Sequence, residues 1–205
     1  RLVPDVTVNE QLQDVARALR WIRDHGSQYP CDMRNIMLTG DSAGGQLAAY
    51  SAVLMQSSQL RKTFDTVDPQ MELTALLLTS PVAFMRDGGL FSLYTKPMWG
   101  TDYKDKATYP DMDFDQIIDY AQALPPTYLI TSSGDTLANK QTHRLYEVLQ
   151  AHGVQAEIKD YAKAEYDQSL PHVFSVLQPF EPAGTAAIDK ALAFYQQAMT
   201  AKATQ

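Results

Sequence analysis

The sequence predicts an α/β fold, a mostly parallel sheet flanked by helices on both faces. Two observations carry this expectation. Apolar runs near residues 36–39, 73–79 and 127–131 lack polar alternation, as strands buried on both faces do. Around them stand segments whose apolar residues recur at helical spacing, and strands alternating with helices build a parallel sheet.

In chain order, Thr7-Val8-Asn9-Glu10 has the form of a capping box, which satisfies orphan N–H groups at a helix start. Leu12, Val15, Leu19 and Ile22 then share one face, and Gly26 and Pro30 close the element. Ile36 to Thr39 is a short strand that ends in Gly40-Asp41-Ser42-Ala43-Gly44-Gly45. Leu47 to Met55 follows as a second helix, and the strand Leu73 to Thr79 stops at Ser80-Pro81.

Residues 85–126 differ in kind. Phe91, Tyr94, Trp99, Tyr103, Tyr109, Phe114 and Tyr120 stand among Gly, Pro, Asp and Lys, with one helix expected near Asp115 to Ala123. A long irregular connection of this sort is the form of a lid or binding loop. Regular structure resumes with the strand Thr127 to Thr131 and a helix from Asn139 to His152, with Leu145, Val148 and Leu149 facing inward. Val154, Ala156 and Ile158 alternate with polar neighbours, as expected nearer a sheet edge. A last helix spans about Pro182 to Thr200, with Ile188, Ala191, Tyr195 and Ala198 on one stripe. The expected organisation is one domain over residues 1–205 with a lid at 85–126.

Composition narrows the function. Hydrophobic residues make up 45% and charged residues 20%, ordinary for a globular protein. A net charge of −7 argues against nucleic acid or an anionic membrane as partner, since both need a basic face. The single cysteine, Cys31, forms no internal disulfide and no multi-cysteine zinc site, so a reducing, cytoplasmic setting is the simpler reading. No apolar run approaches the roughly 18 residues of a membrane span. The sequence opens at Arg1 without Met or a signal-peptide pattern, and the expectation is that a segment precedes it.

Gly40-Asp41-Ser42-Ala43-Gly44 fits G-x-S-x-G with a strand before and a helix after. A nucleophilic serine needs that setting, because a tight strand-to-helix turn lifts its hydroxyl above the sheet. The flanking glycines are expected to let backbone approach without a Cβ clash. The N–H of Ala43, at the helix start, would donate to a developing oxyanion. A phosphate-cradling loop does not fit, because no lysine follows Gly45.

A serine hydroxyl needs a neighbouring base. Of four histidines, His25 and His152 each precede a glycine at a helix end, where capping is expected, and His143 reads as a surface residue. His172 lies in a loop after the last strand, on the sheet edge that carries Ser42. For the acid, Asp135 follows the strand ending at Thr131. It would fix the imidazole tautomer and stabilise the imidazolium, although it also suits a helix cap. Asp160, Asp167 and Glu165 stay open as rivals.

Together, Gly40-Asp41-Ser42-Ala43-Gly44-Gly45, Ser133-Gly134-Asp135 and His172-Val173-Phe174, with Arg1-Leu2-Val3-Pro4 and Ala18-Leu19-Arg20-Trp21 upstream, resemble the hormone-sensitive-lipase-like branch of α/β-hydrolase esterases. The resemblance implies Ser42, Asp135 and His172 as catalytic residues, short-chain acyl esters as substrates, and neither metal nor organic cofactor. The family also carries an H-G-G-G loop with further oxyanion donors upstream of the stretch matching Arg1-Leu2-Val3-Pro4. The sequence has no such motif, and the segment expected before Arg1 would hold it. A small insertion, Ala164 to Leu170, precedes Pro171-His172.

The lid suggests the substrate class. Arg86, Asp87, Lys96, Asp102, Lys104 and Asp105 interrupt its aromatics, which argues for a soluble ester or sugar acetate over a lipid droplet. Phe84, Trp99 and Val173 are the expected substrate contacts, although such aromatics also serve as plain packing. Two alternatives stay open: an amide or peptide hydrolase with the same triad, and a non-catalytic ligand-binding protein on this fold. The expected partner is a small ester, with no nucleic acid, and a homodimer is left open.

Overall fold

A computed structural model describes residues 1–86 and 92–204. Asp87 and Phe91, counted above among the lid residues, lie outside these. Among the described residues the elements run α1 (Val8–His25), β1 (Met37–Asp41), α2 (Ser42–Leu54), α3 (Ser58–Phe64), β2 (Ala75–Thr79), α4 (Ser92–Trp99), α5 (Phe114–Ile117), β3 (Thr127–Ser132), α6 (Asn139–Ala151), β4 (Ala156–Tyr161), α7 (Phe174–Leu177) and α8 (Pro182–Ala203). The chain groups into two compact units. One comprises Arg1–Met33, Ala49–Glu72 and Phe84–Ala123, the other Arg34–Ala48, Leu73–Ala83 and Leu124–Gln205.

The second unit holds the sheet, in the order β1-β2-β3-β4. Every neighbouring pair is parallel, with Gly40 opposite Leu78, Leu78 opposite Leu129, and Leu129 opposite Ile158. All strands therefore end at the same edge, and each is followed there by a loop or helix start. β3 is buried along its whole length, in keeping with its unalternating sequence. β4 lies at the end of the sheet and is only partly buried, as expected of an edge strand, but its burial does not alternate, since Ile158, Lys159 and Asp160 are all half-buried.

Helices flank this sheet. α6 packs on β3 and β4, and α8 on β2 and β3. Ala183, Gly184, Ala187, Ala191, Phe194 and Ala198 are the buried residues of α8. All of these but Gly184 join Tyr128, Ile130, Tyr161 and Phe174 in one core, with the Phe194 and Tyr128 rings 5.2 Å apart. The expected stripe is thus half right. Ile188 is 38% exposed, and Tyr195 is half-buried with its hydroxyl donating to the Asn35 carbonyl at 2.6 Å. Small residues let the helix come close to the strands, so geometry selects alanines here over the more apolar isoleucine.

In the first unit the capping box forms, with the Thr7 N–H donating to the Glu10 carboxylate at 2.8 Å. The expected lid falls for the most part in this unit. Its long expected helix is replaced by α5 and a 3-10 turn at Ile118–Tyr120, after which the chain becomes extended at Ala121. A second helix, α4, was hidden by Pro97, which reads as a helix breaker. α3 also went unforeseen, although its N-cap Ser57 accepts from the Leu60 N–H at 3.1 Å. Asp113, buried, ties the lid's start to its middle by accepting from the N–H groups of Met85 and Arg86 at 2.7 and 3.1 Å.

Candidate active site

Ser42 begins α2 directly at the end of β1 with a φ of 50°. A side chain in the left-handed region costs about 1–3 kcal/mol, and such strain persists where the surroundings over-determine it. The bracing is visible. The Val82 N–H donates to the Ser42 carbonyl at 3.2 Å. A Cβ on Gly40 would stand 2.2 Å from the Gly44 carbonyl oxygen, and one on Gly45 would stand 2.9 Å from Pro81. The turn is therefore closed by Gly40 and Gly45. Gly44 was expected to give the same clearance, yet a Cβ on it would meet nothing within 4 Å, because the tight approach is made by its carbonyl and not by its Cα. Ala43 is exposed at the helix start, where the first N–H groups of a helix have no intrahelical acceptor.

His172 Nε2 stands 2.8 Å from Ser42 Oγ. Its Nδ1 lies 3.0 Å from both carboxylate oxygens of Asp135. All three residues belong to the same unit, each at the C-terminal side of a different strand. The Asp135 carboxylate only accepts, so Nδ1 carries the proton and the lone pair of Nε2 faces the serine hydroxyl.

Asp135 is buried and does two things at once. Its Oδ1 also accepts from the N–H groups of Leu137 and Ala138 at 3.0 and 2.9 Å, so the turn-capping role and the acid's place coincide. Burial pushes its carboxyl up. The nearby Ser80 hydroxyl, the Ala138 N–H and the His172 ring outweigh that and hold it below the ordinary carboxylate range. Ser80 Oγ makes no bond of full hydrogen-bond geometry, so its influence is that of a close hydroxyl dipole. The bonds from Ala138 and His172 are the formed ones.

Two of the three rivals are occupied elsewhere. Asp160 Oδ2 lies 2.8 Å from His143 Nε2 and accepts from the Asn139 amide at 3.0 Å. Glu165 pairs with Lys159 at 3.1 Å, and Asp167 is exposed. His25 and His152 each place Nδ1 within 2.9 Å and 2.7 Å of a carbonyl four residues earlier in their own helices. His143, expected at the surface, is half-exposed but engaged with Asp160.

The expected substrate contacts fare differently. Trp99 is buried beside Tyr50 and Phe64, with ring centroids 6.5 and 6.4 Å away, and Phe84 is fully buried in the same unit. Trp99 thus has aromatic neighbours of its own, and both side chains are buried. Val173, adjacent to His172, has a φ of 53° and is buried. Sequence reasoning passed over Ser80, although it is the residue that follows β2, between the strands of Ser42 and Asp135. Its position immediately before Pro81 read only as a strand stop.

A strained serine after β1, a histidine and a buried carboxylate meet at one edge of a parallel sheet. The chain belongs to the alpha/beta hydrolase fold family, whose model matches residues 1–170. Among curated proteins it is similar to a probable carboxylic ester hydrolase, LipM, of Mycobacterium tuberculosis, 33% identical over 69 residues. Esterase LipI of the same organism is 40% identical over 52 residues. These stretches cover 34% and 25% of this chain and 16% of each relative. Among solved structures, esterase B of Lactobacillus rhamnosis superposes over 100% of this chain and 67% of its own, with a TM-score of 0.87 and 29% identity. An esterase of Pyrobaculum calidifontis, 20% identical with a TM-score of 0.70 over 97% of this chain and 64% of its own, shares the fold.

Proposed function

We propose that this chain hydrolyses small carboxylic esters through an acyl-enzyme on Ser42. The observation that carries the reading is the continuous chain of contacts from the Ser42 hydroxyl through His172 to Asp135, at 2.8 and 3.0 Å. His172 Nε2 takes the hydroxyl proton as Ser42 Oγ attacks the ester carbonyl carbon. The Ala43 N–H donates to the oxyanion that forms, and Asp135 stabilises the imidazolium. His172 then protonates the departing alcohol. Water, activated by the same ring, attacks the acyl-enzyme and releases the carboxylic acid, restoring Ser42.

Short acyl chains are the proposed substrates, sugar acetates among them. The support is the likeness to esterase B, one structure of which, 29% identical, is described with a C4–C4 tributyrin phosphonate inhibitor. Residues 85–126 are proposed as the segment that sets acyl and alcohol preference. Turnover of p-nitrophenyl esters from acetate to palmitate, beside matched anilides, tests this. Hydrolysis that peaks at short acyl chains and spares anilides is the expected result. Anilide turnover equal to ester turnover would replace it with the amidase reading, and no turnover of any member would overturn it.

A further inference from the structure

The loops of Asp135 and His172 are joined at one atom, the carbonyl oxygen of Leu170. The Ser132 hydroxyl, fully buried at the end of β3, donates to it at 2.7 Å. The backbone of Gly134 presses on the same oxygen so closely that a Cβ there would stand 2.4 Å away. Ser132 is itself fixed from behind. Its carbonyl accepts from the Asn139 amide at 2.9 Å and from the Asp135 N–H at 3.0 Å.

From Leu170 to His172 little freedom remains. Pro171 holds its own φ and restricts Leu170 to extended backbone. The Phe174 N–H donates back to the Pro171 carbonyl at 3.0 Å, closing His172 in a turn. A shift at the Leu170 carbonyl is therefore passed to the imidazole, whose Nδ1 must stay within reach of Asp135. The groups hydrogen-bonded to that ring are the Asp135 carboxylate and the Ser42 hydroxyl.

We propose that Ser132 is a positioning residue for the triad: its hydroxyl, latched onto the Leu170 carbonyl, holds the segment carrying His172 against the strand end carrying Asp135. The proposal rests on reading Ser42, Asp135 and His172 as a working triad. Removing the hydroxyl leaves a buried carbonyl without its donor and lets the imidazole drift relative to the serine. A misplacement of about 1 Å costs up to about a hundredfold in rate.

The test compares wild type, Ser132→Ala and Ser132→Cys, the last nearly isosteric with a weak donor. Two quantities are read: kcat and KM on p-nitrophenyl butyrate, and the far-downfield NMR resonance of the His172 Nδ1 proton. Expected for Ser132→Ala is a kcat lower by about ten- to a hundredfold at similar KM, with the resonance lost or broadened and Ser132→Cys intermediate. A resonance and kcat per folded molecule unchanged in the variants would overturn the latch. If Ser132→Ala does not fold, Ser132→Cys carries the same comparison. If wild type turns over no ester, the hydrolase reading falls, and the resonance still decides the latch.

Discussion

His172 Nε2 and Ser42 Oγ lie 2.8 Å apart although 130 residues separate them in the chain. The parallel sheet makes that meeting, since β1 and β4 end at the same edge. If the contact is a general-base contact, His172→Ala and Ser42→Ala each lower kcat by about 10⁴-fold or more, and the double variant is scarcely worse than either. Single-turnover kinetics on a chromogenic ester check this. Additive losses would mean that the two residues do not act together.

Asp135→Asn is expected to keep the fold and lose about 10⁴-fold in kcat. Asparagine is isosteric, but its amide favours the wrong imidazole tautomer. Thermal unfolding beside kcat distinguishes this from a stability defect.

The depressed titration of Asp135 also has a stability consequence. Its folded-state carboxyl titrates below the ordinary value, so the unfolded chain binds more protons in that interval. The contribution is fully present above the ordinary carboxylate range and is lost as pH falls through the folded-state value. Urea unfolding from neutral to acidic pH should therefore show stability falling on the acid side, less steeply in Asp135→Asn. Equal slopes in the two proteins would contradict the assignment.

The glycines of the turn separate by geometry. Gly40→Ala drives a Cβ into the Gly44 carbonyl at 2.2 Å, whereas Gly44→Ala meets nothing within 4 Å. Gly40→Ala is expected to abolish soluble folded protein or the Ser42 geometry, while Gly44→Ala keeps wild-type stability within about 1 kcal/mol. Denaturant midpoints of the two variants decide it.

Phe194, buried against Tyr128, is expected to cost about 3–5 kcal/mol on replacement by alanine. Ile188→Ala, partly exposed on the same helix, should cost well under half of that. Thermal unfolding of the pair reads directly which stripe of α8 faces the core.

The sheet was legible because three apolar strands, a fourth that alternates in sequence, and their turn signals are local features. The meeting of the candidate site's residues was legible for a similar reason. The turn around Ser42 is written in consecutive residues, and strand order alone carries Asp135 and His172 to the same edge. Less could be read where tertiary context overrides local preference. Pro97 sits inside α4, Ile188 faces outward while alanines pack inward, and Trp99 is absorbed by neighbours that come from distant parts of the sequence. Ser132 was silent because a buried hydroxyl declares its role only through a partner, and Leu170 lies 38 residues on; Ser80 was silent because its closeness to Asp135 is made by the sheet and not by the local sequence.

The measurement that bears most directly on the central claim is an intact-mass spectrum before and after a fluorophosphonate probe, with Ser42→Ala alongside. The expected result is a mass gain of one probe on the wild-type chain and none on Ser42→Ala, which would mark Ser42 as an activated nucleophile. A folded wild-type chain that takes up no probe, or a Ser42→Ala variant that still does, would contradict the account.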